Sequence, residues 1–178
     1  LTHNSRALAH TRNLGPCSSG TFGLFYEYRN FAVGGFNFTP ATEEYAMAVA
    51  SYQEWIRGPL KTSAALRLDG RRVEPRHTRQ SRTAGAISTR DFSGLSGGFA
   101  TRYQFNRDLA LGVSAMRTFR APGVEELFSE GPHLAAYAYE VGNAALDSER
   151  GVGLEVSIDY DRPAGHFHLA LFRNDIDG

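Results

Sequence analysis

From Arg150 to Asp161 the chain alternates without interruption. Val152, Leu154, Val156, Ile158 and Tyr160 fall on one side, and Gly153, Glu155, Ser157 and Asp159 on the other. Successive side chains of an extended strand point to opposite faces, so this run makes one apolar face and one polar face. A helix would scatter both sets around its circumference. The same two-residue period recurs along most of the chain. Phe22, Leu24, Tyr26 and Tyr28 alternate with Gly23, Phe25 and Glu27, and Tyr45, Met47 and Val49 with Ala46, Ala48 and Ala50. Phe99, Thr101, Tyr103 and Phe105 alternate with Gly98, Ala100, Arg102 and Gln104, and Leu109, Leu111, Val113 and Ala115 with Ala110, Gly112, Ser114 and Met116. Phe167, Leu169 and Leu171 alternate with His166, His168 and Ala170. Weaker runs at 4–12 and around Leu66 and Leu68 bring the expectation to about eight strands.

The connections alternate in length. Short ones at Leu14–Gly20, Ile56–Pro59, Phe105–Asp108 and Arg162–Gly165 are rich in turn formers, and long ones lie near 30–42, 72–84 and 119–149. Short turns at one end and long loops at the other fit an antiparallel up-and-down transmembrane β-barrel, in which the long loops are extracellular. The polar sides carry small or charged groups (Gly98, Gly112, Ser114, Glu155, Asp159), which suits a wet lumen better than a dry core. Tyr26, Tyr28, Tyr45, Tyr52, Trp55, Tyr103, Phe105 and Tyr160 gather near strand ends, as interfacial girdles require. Ordinary β-propensity is the competing explanation.

Composition closes other routes. The 19 basic and 19 acidic residues cancel, so no basic stripe points to nucleic acid. No run of 18 apolar residues exists to form a transmembrane helix. The single cysteine, Cys17, allows no internal disulfide and no multi-cysteine zinc site. Neither a Gly-x-Ser-x-Gly elbow nor a His-Glu-x-x-His pair is present, and Gly94-Leu-Ser-Gly97-Gly98 reads as a small-residue stretch within a strand. No catalytic residue is therefore expected. Residues 1–30 lack a charged and then apolar leader, so a membrane barrel containing this chain is expected to be larger than it.

One stretch is more specific. Arg117-Thr-Phe-Arg-Ala-Pro-Gly-Val-Glu-Glu-Leu-Phe128 closes one strand and opens the longest loop. It resembles the Phe-Arg-Ala-Pro…Glu-Leu motif of TonB-dependent outer-membrane receptors. The run Glu140-Val-Gly142-Asn143-Ala-Ala-Leu146-Asp-Ser-Glu149 and the strand end Phe172-Arg-Asn-Asp175-Ile-Asp177 are similar to further pieces of that family, in the same order. The motif has its own local physics. Pro122 lacks an N–H and ends the ladder at Arg120-Ala121; Val124, Leu127 and Phe128 are spaced for a short helical turn on the rim; Gly142-Asn143 is a turn pair. A conformational role for it outweighs a ligand-binding one.

The resemblance implies a 22-stranded barrel plugged by another domain, here represented by a partial barrel at residues 1–178 without plug or terminal strands. It implies active uptake of a metal, siderophore or haem across the Gram-negative outer membrane, with outer-membrane lipid and the TonB complex, reached through the plug, as partners. No covalently bound cofactor is expected; zinc or an iron chelate would be cargo. The Gly131-Pro132-His133 form of the loop is similar to the zinc and haem branch. His133, flanked by Glu130 and Glu140, is the candidate metal site, because imidazole with carboxylates suits zinc. His166 and His168 share a face but lack an evident third ligand, and Arg71, Arg72, Arg76, Arg79 and Arg82 make one loop basic. Two rivals stay open: a complete eight-stranded outer-membrane barrel, which requires residues 4–12 to pair with 165–175, and a soluble all-β binding module.

Overall fold

The computed structural model describes residues 2–12, 18–32, 39–133 and 137–178, with backbone alone for residues 2–12 and 133. Eight strands form a single antiparallel sheet. In spatial order they are β1 (Thr2–Arg12), β2 (Ser18–Phe31), β3 (Thr42–Arg57), β4 (Leu60–Pro75), β7 (Arg90–Gln104), β8 (Leu109–Arg120), β11 (Glu149–Arg162) and β12 (Gly165–Asp177). Each strand of this sheet lies beside the one that precedes it, so the sheet is an up-and-down meander built from hairpins. The long connections hold the remaining elements: a hairpin of β5 (Arg79–Gln80) and β6 (Ala86–Ile87), the helix α1 (Val124–Phe128), and a hairpin of β9 (Glu130–His133) and β10 (Ala138–Val141).

Register carries the alternation from strand to strand. Leu24 pairs with Val49, Val49 with Leu68 and Leu68 with Leu95. Farther along, Val113 pairs with Val156, and Val156 with Leu171. Directly paired residues share a face, so these rows merge into one apolar surface spanning the sheet. It is uncovered: Val152, Leu154, Val156 and Ile158 are 52%, 55%, 46% and 38% exposed. Two pairs of polar groups on this face satisfy one another, Gln53 donating to Ser51 at 3.2 Å and Thr62 meeting Thr101 at 3.4 Å across the strands.

Aromatic residues bound the apolar surface at both ends. Trp55, Tyr103, Phe105, Tyr160 and Phe167 stand at the short-turn end, and Tyr28 and Tyr45 at the long-loop end with their rings 5.2 Å apart. On β3, the ten residue steps from Tyr45 to Trp55 at about 3.4 Å each, tilted by about 40°, give a band roughly 26 Å tall. Tyr52 is the exception among the expected girdle residues. An even-numbered position on β3 faces the polar side, where its hydroxyl donates to Glu54 at 3.1 Å. The polar face carries many small residues and ion pairs, such as Arg67–Asp69 at 2.8 Å and Arg102–Asp159 at 3.2 Å.

The two rival readings do not fit. An eight-stranded ring would join β1 to β12, but β1 pairs only with β2 and β12 only with β11 among the described residues. A soluble sandwich would cover the apolar face with a second layer, and among the described residues none lies on it. Among the described residues the buried core lies instead at the long-loop end, around Val73, Ile87, Phe92, Val124, Leu127 and Phe128.

Cross-linking checks the topology. In a Cys17→Ser background, cysteines at Val113 and Val156 are expected to join under mild oxidation, because these positions pair directly. Cysteines at Ala9 and Leu169 are expected to stay apart. Efficient joining of the second pair would mean that the ring closes at eight strands.

Candidate functional site

The loop assembly at the long-loop end is built outward from the end of β8. Phe119 lies across Gly94 so closely that a Cβ there would overlap its ring, and it packs on the buried cluster. Beyond Arg120, Ala121 and Pro122 leave the ladder, and α1 begins at Val124. Glu126 caps that helix, its carboxylate accepting the Gly123 N–H at 2.7 Å, while Val124, Leu127 and Phe128 are buried. Arg120 sits between two carboxylates. It donates to Glu126 at 2.9 and 3.1 Å and to Glu149, the first residue of β11, at 2.8 Å. One guanidinium thus ties the end of β8, the helix and the start of the next strand.

The returning segment docks on this helix. Gly142 N–H donates to the Ser129 carbonyl at 2.7 Å and Asn143 N–H to the Glu126 carbonyl at 2.8 Å. A Cβ on Gly142 would come within 2.8 Å of backbone atoms of Leu127, Phe128 and Ser129, so only glycine permits the approach. Arg90 donates to the carbonyls of Ala144 and Leu146, and Ala144 N–H donates to Ala84 in the neighbouring loop. Thr39 Oγ1 meets Ser129 Oγ at 3.0 Å, which joins the third long connection. The three loops therefore form one folded body.

Beside α1 lies a cavity of about 410 Å³ lined by Arg29, Phe31, Arg71, Val124, Glu125 and Glu126. Two of the lining residues, Arg29 and Arg71, both pair with Glu44, which is only 4% exposed. Sequence reading missed this group. Alternation places Glu44 on the polar face of β3, but its partners come from β2 and β4, and sequence order does not reveal such cross-strand pairing.

Of the predicted metal ligands, Glu130 accepts a hydrogen bond from Thr83 Oγ1 at 2.7 Å and lies 3.6 Å from Arg79. Thr83 first, with Ser81, holds its carboxyl below the usual glutamate range. The β9–β10 register pairs position 133 with Ala138 and Glu140 with Gly131, so 133 and 140 share one side of the hairpin and 130 occupies the other. Among the described residues no three His, Cys, Asp or Glu side chains converge on a metal-sized point, and the His133 side chain lies outside them. His166 and His168 stack 6.5 Å apart, each bonded across the hairpin to an aspartate, Asp161 at 2.5 Å and Asp159 at 2.7 Å. The basic loop is largely neutralised: Arg71 pairs with Glu44, Arg72 with Asp91, Arg76 with Glu43 and Arg79 with Glu130.

The family model for TonB dependent receptor-like β-barrels matches residues 2–178. The chain belongs to this family, whose members are transporters and not enzymes. Two solved structures share the fold. One is the Serratia marcescens hemophore receptor HasR, a double mutant in complex with its hemophore HasA and heme. It aligns with a TM-score of 0.75 at 16% identity, over 99% of this chain and 33% of that one. The other, the copper transporter OprC, aligns with a TM-score of 0.64 at 17% identity, over 90% of this chain and 28% of that one. This chain thus spans about a third of the length of the solved proteins it matches.

Two outcomes test the loop body. Gly142→Ala is expected to destabilise it by about 1–3 kcal/mol, because the clash is with backbone that has no rotamer to yield. Hydrogen exchange at 124–146 would rise while the strands stay protected. The second outcome concerns pH. The Arg120 guanidinium first, and then the Gly123 N–H, hold the Glu126 carboxyl below the usual range. A depressed folded-state pKa contributes stability that is complete above the unfolded value, about 4.3, and is lost as pH falls through the folded value. Protease sensitivity of this loop is expected to increase below about pH 4. Glu126→Gln is expected to show that sensitivity already at neutral pH.

Proposed function

We propose that this barrel segment belongs to a receptor that takes up a scarce metal complex, siderophore or haem across the outer membrane of a Gram-negative cell. The observation that carries the reading is a single apolar face, bounded by aromatic rows roughly 26 Å apart, on a sheet whose two edges have no strand partner among the described residues. An apolar band of about 25 Å matches what an outer-membrane barrel presents to lipid. Free edges in hydrocarbon leave backbone groups unpaired at several kcal/mol each, so further strands of the same receptor take them up. The long-loop end, with its folded body and cavity, then faces the outside, where cargo arrives. Energy comes through TonB acting on a plug domain in the lumen.

A hemophore and heme bound to HasR, and copper transport by OprC, support metal-bearing cargo as the class. Within the loop body we place first contact at His133 and Glu140, which share a side of the β9–β10 hairpin, with a further ligand supplied by the cargo. Glu130, engaged by Thr83 and Arg79, supports the hairpin from its other side.

The test uses the full-length receptor in cells with and without a functional TonB complex. Uptake of radiolabelled zinc, heme and ferric chelates is expected to depend on TonB for one of them. Receptor-dependent but TonB-independent entry of all three would sink the transport reading. His133→Ala is expected to weaken uptake of the accepted cargo about tenfold at limiting concentration, the equivalent of one lost ligand contact. Unchanged affinity would remove His133 from the site and leave the transport reading intact.

A further inference from the structure

We propose that His166 and His168 form a binding site for a divalent transition-metal ion of the copper or zinc kind, on the polar face at the short-turn end of the sheet. The pair follows from the hairpin itself. Its position, on the lumen wall at the periplasmic mouth, rests on the reading of the chain as a transporter barrel and extends that reading from the outer loops to the exit.

Register builds the pair. On β12 the apolar-face positions are Phe167, Leu169 and Leu171, so His166 and His168 turn to the polar face two residues apart. On β11, Asp161 stands opposite His166 and Asp159 opposite His168. Each imidazole meets its aspartate through Nδ1, at 2.5 Å for Asp161 and 2.7 Å for Asp159. An ionised carboxylate only accepts hydrogen bonds, so each neutral ring carries its proton on Nδ1 and keeps its lone pair on Nε2. A carboxylate behind an imidazole fixes the tautomer of a metal-binding histidine and raises the basicity of the nitrogen that coordinates. Here the arrangement occurs twice on one hairpin.

Geometry and charge point the same way. The rings are parallel to within 9°, with centroids 6.5 Å apart, and both are exposed. Two nitrogens on one ion, at about 2.0–2.1 Å each, stand roughly 3 Å apart, so a tilt of each ring about its aspartate contact closes the site. Asp159 is shared with Arg102 at 3.2 Å, while Asp161 has no basic partner besides His166 among the described residues. Arg162, the next basic group in the turn, is held by Asp108 at 3.1 Å. Two carboxylates against one guanidinium give the pair a net negative surround, which favours a cation. Space is open beside it, since a Cβ added at Gly165 would meet nothing within 4 Å.

The ligand set decides which ion and how firmly. Imidazole suits copper, zinc and nickel, whereas magnesium and calcium prefer oxygen, and for a given set of ligands copper binds most tightly. No third His, Cys, Asp or Glu side chain joins the pair among the described residues, so water fills the remaining positions. Two protein ligands with open positions hold an ion reversibly. That suits a place where metal passes, and a permanent structural metal would need a closed set of four.

The test uses the full-length receptor, purified in detergent without a histidine tag and carrying His133→Ala so that the outer hairpin contributes no imidazole. It is titrated with Cu²⁺ and followed by electron paramagnetic resonance. A bound ion with hyperfine structure from two nitrogens is expected. His166→Gln with His168→Gln should remove that ion and its nitrogen signal. Asp159→Asn with Asp161→Asn should keep the stoichiometry and weaken binding at least about tenfold, the usual cost of losing such supporting carboxylates. Zn²⁺ should displace the copper and millimolar Mg²⁺ should not. His77→Gln, in the long connection that follows β4, should change nothing. Heat-modifiable gel mobility shows that each variant is folded. An unchanged copper signal in the Gln/Gln variant, an equal loss in His77→Gln, or displacement by Mg²⁺ would each overturn the site. Entry of cargo without TonB would overturn the transport reading alone, because the copper titration judges the site directly.

Discussion

A strand that meets hydrocarbon has no water to satisfy its N–H and C=O groups, so every one must find a partner on a neighbouring strand. The organisation of the sheet follows from this. Consecutive strands pair because hairpins bring them together at least entropic cost, and the ladder then fixes which residues stand side by side. Once Val113 faces Val156 and Val156 faces Leu171, the parity of each strand is settled, and a slip of one residue would turn an entire apolar row toward the wet side. Polar groups left on the apolar face, Ser51 with Gln53 and Thr62 with Thr101, are tolerated because they bond to each other.

The two ends of the sheet solve different problems. At the short-turn end, tight turns need only reverse the chain. At the long-loop end, the connections are long enough to need a core of their own, and they obtain one by sharing it. Val73 and Phe92 come from strands, Ile87 from one hairpin, and Val124, Leu127 and Phe128 from the helix. The Phe-Arg-Ala-Pro segment makes this possible. Phe119 seals the core over Gly94, Pro122 releases the chain from the ladder, and Arg120 ties the released helix to the strand that follows. Its specific residues are conformational and electrostatic ties that hold the hairpin and cavity in place.

Much of this was legible in the residues. The eight strands, the helical turn at Val124, Leu127 and Phe128, and the shared face of His166 and His168 follow from periodicity, which is a local property. Tyr52 was misread because clustering near a strand end indicates height in the sheet, while its parity on β3 turns it to the polar face. The neutralisation of the basic loop was not legible for a related reason. Arg71, Arg72, Arg76 and Arg79 are close in sequence, but their carboxylate partners come from β3, β7 and β9. Charge counting along the chain does not see a neutralising group brought in from another strand.

Alternation along each strand, a property of single residues and their neighbours, therefore determined that the chain is a sheet with one apolar face and one polar face. Only the tertiary structure decided that β1 and β12 do not pair with each other among the described residues, that Glu44 is buried between two arginines, and that Gly142 must be glycine. Each of these depends on groups far apart in the chain that only pairing brings together, and the physical reason is the same throughout. A period of two fixes which way a side chain points, while register and loop packing fix what it meets there.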